Sequence, residues 1–324
     1  MIERYLNPEI NSIWDDQNKF DTWKLVQEKY VETLEELDVA ENGIAKKINQ
    51  SVVQKDEVYK QEEITNHDLA SFVDILQKKV GEGSNWIHYG LTSSDIVDTA
   101  NSVLIMQSLD YVKDLINDLL STLQEKAVQE KDTLIIGRTH GVYAEETFLG
   151  NIFGNWHLEV ARGLNRLENS KNNISFGKLS GPVGNHSVVT SEMEKLTLEK
   201  LNLKPEQFAN QIVNRDRYAE VVSSLGILAS TYERIATNIR SYQRSEISEM
   251  FESFKDGQKG SSAMPHKKNP IGSERITGLA RIMRSYVSTS LENMVLWNER
   301  FISNSSVDWI MLPDGFNLIS FMSI

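Results

Sequence analysis

Residues 104–129 read LIMQSLDYVKDLINDLLSTLQEKAVQ, and this segment determines the fold class that the sequence predicts. Its apolar residues recur mostly at three- and four-residue steps: Leu104, Leu109, Val112, Leu115, Ile116, Leu119, Leu120 and Leu123. Such spacing is typical of an amphipathic α-helix. The segment from Val213 to Ile247 has the same spacing and no proline, which predicts a helix of roughly thirty residues, about 45 Å long. Helices of this length usually bury against other long helices, so the pattern favours a helical bundle.

Glycine-containing segments interrupt the helical pattern at Gly81–Gly83, Gly177–Gly184 and Gly257–Pro270. Strand-like alternation is scarce, so the sequence predicts an all-α fold. We place an N-terminal helical domain at residues 1–110 and a central long-helix bundle at residues 111–324. A final amphipathic run from Phe316 to Ile324, which follows Pro313, ends without a capping residue. We therefore expect the central bundle to be truncated.

The composition excludes several classes of partner. The chain has 34 Lys and Arg against 46 Asp and Glu, a net charge of −12. Binding to nucleic acid depends on clustered basic residues, so we expect no nucleic-acid partner, although a few converging cations are enough for a small anionic substrate. The chain has no cysteine, which excludes disulfides and thiolate chemistry and fits a cytoplasmic location. No run reaches the ~20 apolar residues that span a bilayer, so we expect no membrane partner.

Residues 257–270, GQKGSSAMPHKKNP, place hydroxyl and basic side chains among glycines. Gly260 permits backbone conformations that other residues resist, and Ser261 and Ser262 supply hydroxyls beside backbone amide donors. Lys267 and its neighbour add positive charge. A mobile cationic loop of this kind suits an anionic substrate that has to be covered before it reacts. A solvated surface loop is the alternative, which composition alone favours.

Three further segments combine histidine with hydroxyl or carboxylate residues: GRTHG at residues 137–141, WIHYGLTSSD at residues 86–95, and NHD at residues 66–68. His140 is suited to proton transfer near neutral pH, although a hydrogen-bonded structural histidine is the commoner case. Thr92 and Ser93 are expected to cap the helix that follows, with or without a ligand. No two histidines have the four-residue spacing of a zinc-binding helix, so we expect no metal site.

The loop GSSAMPHKKNP at residues 260–270 resembles the most specific motif of the fumarase/aspartase superfamily, GSSxMPxKxNP. Within that superfamily, residues 2–5, 86–98, 137–142 and 258–274 are similar to the bacterial adenylosuccinate lyase family. The similarity extends from Met1 to about Asp314. The family continues for roughly a hundred further residues, so the resemblance implies that a C-terminal helical domain is missing here.

The resemblance also implies an assembly and a reaction. The expected assembly is a homotetramer of all-helical subunits with active sites shared between them. The expected reaction is a β-elimination that releases fumarate from adenylosuccinate, giving AMP, and from succinylaminoimidazole-carboxamide ribotide in purine biosynthesis. The implied partner is thus a small succinyl-purine nucleotide, and no cofactor is implied.

By this resemblance Ser261 is the catalytic base, His140 is the acid that protonates the leaving nitrogen, and Glu274 is the carboxylate that orients His140. The implied phosphate-binding residues are Arg4, Tyr5, Arg300 and Ser305. The implied positions around the succinyl and base groups are His67, Asp68, His88, Thr92, Ser93, Gln211, Ser262, Lys267 and Asn269. Removal of a proton beside a carboxylate creates a dianion that needs cationic and amide stabilisation, and the loop offers both.

Two departures from the family pattern bear on this expected site. Trp309 stands where a phosphate-binding arginine is expected, and indole has one donor and no charge. Arg275 stands where an asparagine usually contacts the substrate. Two other hypotheses stay open. One is a different lyase of the superfamily, such as a carboxymuconate cycloisomerase or an argininosuccinate lyase, and the other is a non-catalytic structural relative.

Overall fold

The computed structural model describes residues 1–264 and 266–324, and in them the chain forms eleven α-helices. The first five are α1 (Pro8–Ile13), α2 (Asp16–Glu36), α3 (Ile44–Gln50), α4 (Lys55–Thr65) and α5 (Asp68–Val80). The other six are α6 (Ser93–Gln129), α7 (Leu149–Ile174), α8 (Ser191–Lys200), α9 (Arg215–Tyr242), α10 (Ile271–Glu292) and α11 (Ser303–Ser323). The predicted all-α fold is therefore confirmed. No helix in this part of the chain is both long and apolar enough to cross a bilayer.

Two short pairs of strands accompany the helices. Strands β1 (Leu134–Thr139) and β2 (Val142–Phe148) form an antiparallel hairpin between α6 and α7. Strands β3 (Phe176–Gly177) and β4 (Lys204–Pro205) form a two-residue parallel pair. The hairpin was not predicted, because its residues are mostly exposed and lack the apolar alternation that a half-buried strand shows.

Helix α6 confirms the helix predicted from residues 104–129 and extends it towards the N-terminus. It begins at Ser93 with Thr92 as its N-cap residue, and the Asp95 carboxylate accepts the backbone N–H of Thr92 at 2.8 Å. This bond is one half of a capping box, which satisfies donors that a helix start leaves unpaired. The apolar side of the helix buries Val112 and Ile116 completely. Helix α9 has 28 residues and likewise confirms its prediction.

Two hydrophobic cores meet along α6. The first is built from α2 to α5, includes Trp23 and Phe72, and reaches Ala100 on α6. The second begins at Ile105 on α6 and continues through α7, α9, α10 and α11. Residues 179–203, around α8, pack into the first core, although they are far away in sequence. The division at residue 110 stays a prediction, and α6 runs through it without a break.

Helix α11 corrects the prediction for the end of the chain. It begins at Ser303 and includes Pro313, so the last helix starts well before the predicted Phe316. A proline inside a helix removes the hydrogen bond to the carbonyl four residues earlier, here that of Trp309. The residues on both sides of Pro313 are nevertheless helical, so α11 continues through the proline.

Candidate active site

A pocket of about 260 Å³, here called the α11 pocket, lies between the starts of α5, α6 and α11. Its lining includes His67, Asp68, Ser93, Gln211, Arg300 and Ser305, together with Trp309. The first six of these were predicted to bind substrate, and the fold brings them together from positions 67 to 305. Among the cavities formed by the described residues, the α11 pocket holds the most predicted site residues.

Polar contacts order the side chains of the α11 pocket. Arg300 Nη2 donates to Ser305 Oγ at 2.9 Å. The backbone N–H of Gln211 donates to the carbonyl of the residue before Arg300, at 3.1 Å. On the other side, Ser93 Oγ lies 3.4 Å from Nε2 of His67, the N-cap residue of α5. The pocket thus offers a guanidinium and two hydroxyls, which suit an oxyanion such as a phosphate.

His88 is held neutral near this pocket. Its backbone N–H donates to Gln27 Oε1 at 3.0 Å, so the Gln27 amide nitrogen must face the ring, where it donates to Nδ1 at 3.0 Å. The ring proton therefore resides on Nε2. Burial, together with the neighbouring His67, lowers the pKa of His88 to about 4. At neutral pH the ring of His88, a predicted ligand-binding residue, is therefore uncharged and can donate a hydrogen bond from Nε2.

A buried ion cluster next to the α11 pocket was missed by the sequence analysis. Arg215 of α9 donates to both carboxylate oxygens of Asp98 on α6, at 2.7 and 3.1 Å. Its Nε lies 2.9 Å from Oδ2 of Asp308 on α11, an ion pair that is too poorly aligned for a hydrogen bond. Burial raises the pKa of Asp308 to about 6, against the opposing effect of Arg215. The cluster joins three helices beside residues that line the pocket.

A second buried ion pair connects the segment after β3 to the start of α6. Lys178 Nζ donates to the Asp95 carboxylate and to the carbonyl of Gly181, the latter at 3.0 Å. Burial raises the pKa of Asp95, and the charge of Lys178 opposes this rise. Asp95 and Asp98 are three residues apart on one face of α6. Two carboxylates on the buried side of a helix are a sequence signal that Asp95 and Asp98 need cationic partners, although the signal does not identify Lys178 or Arg215.

A larger cleft of about 850 Å³, here called the loop cleft, lies between the end of α9 and the start of α10. It is lined by the predicted residues Lys267, Asn269 and Glu274, and also by Arg240 and Arg244. The chain as a whole carries a net charge of −12, so this concentration of cations is a local reversal of sign. The cleft is therefore suited to an anionic ligand.

Ser261 lies in the loop that connects α9 to α10. Its Oγ accepts the backbone N–H groups of Ala263, at 3.3 Å, and Met264, at 3.2 Å. Hydrogen bonds to the charged form of a group favour that form, so two donors on one oxygen make an alkoxide easier to form. The predicted residues Ser262 and Lys267 are exposed on the same loop. Pro265, also part of the motif, lies outside the described residues.

The two ends of this loop are tied together at its base. Asn269 Nδ2 donates to the Gly260 carbonyl at 2.8 Å, and Gln243 Nε2 donates to the Lys268 carbonyl at 2.9 Å. A Cβ at Gly260 would lie 2.0 Å from the carbonyl oxygen of Lys267. Gly260 is thus required by the close approach of the two ends. The predicted ligand-binding residue Asn269 closes the loop in this structure.

His140 stands at the tip of the β1–β2 hairpin. Thr139 pairs with Val142, so His140 and Gly141 form a two-residue turn, and their φ angles are 55° and 80°. Positive φ at both central residues defines the tight turn that suits twisted strands, and histidine tolerates it better than most residues. The ring is exposed, and within the described part of this chain no hydrogen bond joins it to Glu274. The predicted acid and its carboxylate are therefore not paired in a single subunit.

Tyr5 lies far from Ser305, another predicted phosphate-binding residue, and Arg4 precedes Tyr5 in the chain. The Tyr5 ring packs edge-on against Phe321, with 5.1 Å between ring centroids. Phe321 is sixteen residues after Ser305 on α11, about 24 Å at the helical rise. One phosphate cannot contact both Tyr5 and Ser305 in one chain. The structure thus separates two members of the predicted phosphate set.

Comparison with known proteins identifies the class first. The protein-family model described as "Lyase" matches residues 18–283. The fold is also that of a fumarate lyase from Mesorhizobium sp. BNC1, with a TM-score of 0.89, 21% identity, and coverage of 100% of this chain and 74% of that one. A 3-carboxy-cis,cis-muconate lactonizing enzyme from Pseudomonas putida matches with a TM-score of 0.90 and 23% identity, over 98% of this chain and 73% of that one. At these identities the two structures show the fold alone.

Curated sequences then identify the family within the class. An adenylosuccinate lyase of Thermotoga maritima is 43% identical over 325 residues, which cover 100% of this chain and 75% of that protein. An adenylosuccinate lyase of Bacillus subtilis is 41% identical over 323 residues, covering 99% of this chain and 75% of that protein. The chain belongs to the adenylosuccinate lyase family of the fumarase/aspartase superfamily, as the motif resemblance predicted.

Proposed function

We propose that this chain is an adenylosuccinate lyase, which eliminates fumarate from adenylosuccinate to give AMP. It acts likewise on succinylaminoimidazole-carboxamide ribotide in purine biosynthesis. The observation that carries the proposal is the Ser261 oxygen, which accepts two backbone N–H groups within the motif loop. The identity of 43% to a curated adenylosuccinate lyase supports the same substrate. An absorbance assay with adenylosuccinate tests the proposal.

Ser261 is the base in the proposed reaction. It removes the proton from the succinyl carbon beside a carboxylate, and the electron pair left there forms the double bond of fumarate as the C–N bond breaks. His140 donates a proton to the leaving nitrogen. The N–H groups of Ala263 and Met264 stabilise the alkoxide, and Lys267 offsets the charge that develops on the carboxylate. Only side chains and backbone amides take part, so no cofactor is needed.

The active sites are proposed to be shared within a homotetramer. The separation of Tyr5 from Ser305 supports this assembly, since a second subunit can complete the phosphate set. Exposed apolar residues on three long helices support it too: Leu158, Ile227, Ile282 and Leu291. The apolar residues at the helical period of α6, such as Val112, are mostly buried within the chain and do not contribute to this surface. The surface for assembly is therefore carried mainly by α7, α9 and α10.

A positive charge at position 309 is expected to strengthen phosphate binding. Trp309 lines the α11 pocket with Arg300 and Ser305, so an arginine there can reach the same ligand. A charge-assisted hydrogen bond contributes about 1.5–3 kcal/mol. Trp309→Arg should therefore lower the KM for adenylosuccinate by roughly ten- to a hundredfold with little change in kcat, as measured by steady-state kinetics.

The matched control for this variant is Trp297→Arg. Trp297 is 70% exposed and stacks on Phe301. It does not line the α11 pocket, so the same substitution there adds a charge outside the pocket. Its KM should stay at the parental value. An unchanged KM in Trp309→Arg would mean that the phosphate does not bind in the α11 pocket.

A further inference from the structure

Arg240 differs from the neighbouring arginines in having no acidic partner. Arg215, Arg217, Arg234 and Arg244 each form an ion pair with a carboxylate: Asp98, Glu206, Glu159 and Glu246, respectively. In the part of the chain that the structure describes, no carboxylate lies within 4.0 Å of Arg240. Its side-chain contact is a hydrogen bond from Nη1 to Thr277 Oγ1 at 3.4 Å, near the upper limit for such a bond.

Arg240 lies in the cleft that the C-terminal part of the motif loop lines. Arg240 lies in the last turn of α9 and lines the loop cleft together with Lys267 and Glu274. Thr277, its partner on α10, is three residues after Glu274, so both stand on the same face of that helix. The guanidinium therefore faces the same cavity as the loop cation and the carboxylate proposed to orient the acid.

The charges of the loop cleft leave room for an anion. Arg240, Arg244, Lys267 and Lys268 line it, and Glu274 is the acidic side chain among its lining residues. Arg240 is half-buried, so its charge is partly removed from water without a carboxylate to compensate for it. A bound anion supplies that compensation, and a guanidinium fork matches a carboxylate with two parallel hydrogen bonds.

The chemistry of the reaction decides between a carboxylate and a phosphate. The proton leaves a carbon beside a carboxylate, so that carboxylate must lie next to the Ser261 loop, whereas the phosphate is remote and is assigned to the α11 pocket. We infer that Arg240 is a substrate-binding residue that holds a carboxylate of the four-carbon unit, the succinyl group before elimination and fumarate after it. This inference rests on the proposed function and adds a residue to its site.

Binding of fumarate to the assembled protein, followed by ligand-observed NMR titration, tests the inference without requiring turnover. Arg240→Met keeps much of the side-chain length and removes the charge. The Kd for fumarate should rise by roughly ten- to a hundredfold, while the Kd for AMP stays unchanged. Arg240→Lys keeps the charge but loses the planar fork, so its Kd for fumarate should be intermediate. Arg234→Met should leave both values unchanged, because it removes from α9 a guanidinium that is already paired with Glu159 of α7.

Several outcomes would overturn the inference. An equal loss of affinity for fumarate and AMP would show that Arg240 supports the packing of α9 against α10. A lower Tm of Arg240→Met with the parental affinity for fumarate would likewise show that Arg240 has a packing role. If Arg240→Met does not fold, Arg240→Lys decides, and a parental affinity for fumarate in that variant rejects the assignment. A parent that binds fumarate but does not convert adenylosuccinate contradicts the proposed function and leaves the comparison at Arg240 valid.

Discussion

Ser261→Ala is expected to lower kcat for adenylosuccinate by about 10²–10⁴-fold, because it removes the group that accepts the proton. The backbone N–H groups of Ala263 and Met264 remain, so binding of the substrate should change little and the KM should stay near the parental value. Steady-state kinetics measure both constants. The control is Ser285→Ala on α10, which removes an exposed hydroxyl bonded only to the Ile282 carbonyl and should leave kcat unchanged.

His140→Ala should cause a loss of the same size, about 10²–10⁴-fold, because the leaving nitrogen then lacks its proton donor. His140 is exposed at a hairpin tip, so the fold and the assembly should survive the substitution. His157→Ala is the control, since His157 Nδ1 lies 3.1 Å from the Leu120 carbonyl and serves the packing of α7 on α6. His157→Ala should lower the Tm and leave kcat unchanged. A kcat near the parental value in either Ser261→Ala or His140→Ala would disprove the role given to that residue.

A charge on the exposed apolar side of α10 is expected to prevent assembly and thereby abolish activity. Ile282 is 46% exposed on this helix, and burying a lysine there against a second subunit is costly. Ile282→Lys should therefore dissociate the proposed tetramer and, because the proposed site takes residues from more than one subunit, remove turnover. Sedimentation velocity at micromolar concentration, together with the activity of each species, measures both effects.

Gln50→Lys provides the control for the added charge, because Gln50 is exposed at the end of α3, away from the long helices. It should sediment as the parent does and retain activity. A parental chain that is a stable monomer, or an Ile282→Lys monomer with full turnover, would contradict the shared site.

The long helices were predictable because their signal is local. Val112 and Ile116 recur at the helical period, and burial of one face follows directly from that pattern. The start of α6 was predictable from Thr92, since hydroxyl residues favour the N-cap position. The course of α11 was not, because Pro313 usually ends or kinks a helix. The β1–β2 hairpin lacked an apolar pattern, since both of its faces are largely exposed.

Residues of the candidate site could be predicted where they belong to one continuous motif. They could not be predicted where a side chain pairs with a residue far away in the sequence. Ser261 was predicted as the base from the resemblance of its loop, and this role stays a prediction. The two amides on its oxygen belong to the same loop. The Arg215 pairs with Asp98 and Asp308 join helices that are about a hundred residues apart in the chain, and no sequence period relates such positions. Glu274, the predicted partner of His140, makes no hydrogen bond to it within the described part of the chain, so that pairing stays a prediction.

The central claim is tested most directly by following the absorbance of adenylosuccinate in the presence of the purified chain, with argininosuccinate as the control substrate. We expect conversion of adenylosuccinate to AMP and fumarate that depends on Ser261, and no conversion of argininosuccinate. Turnover of argininosuccinate alone would assign the chain to a different lyase of the superfamily. An assembled, folded protein with no turnover of adenylosuccinate would contradict the account and favour a non-catalytic relative.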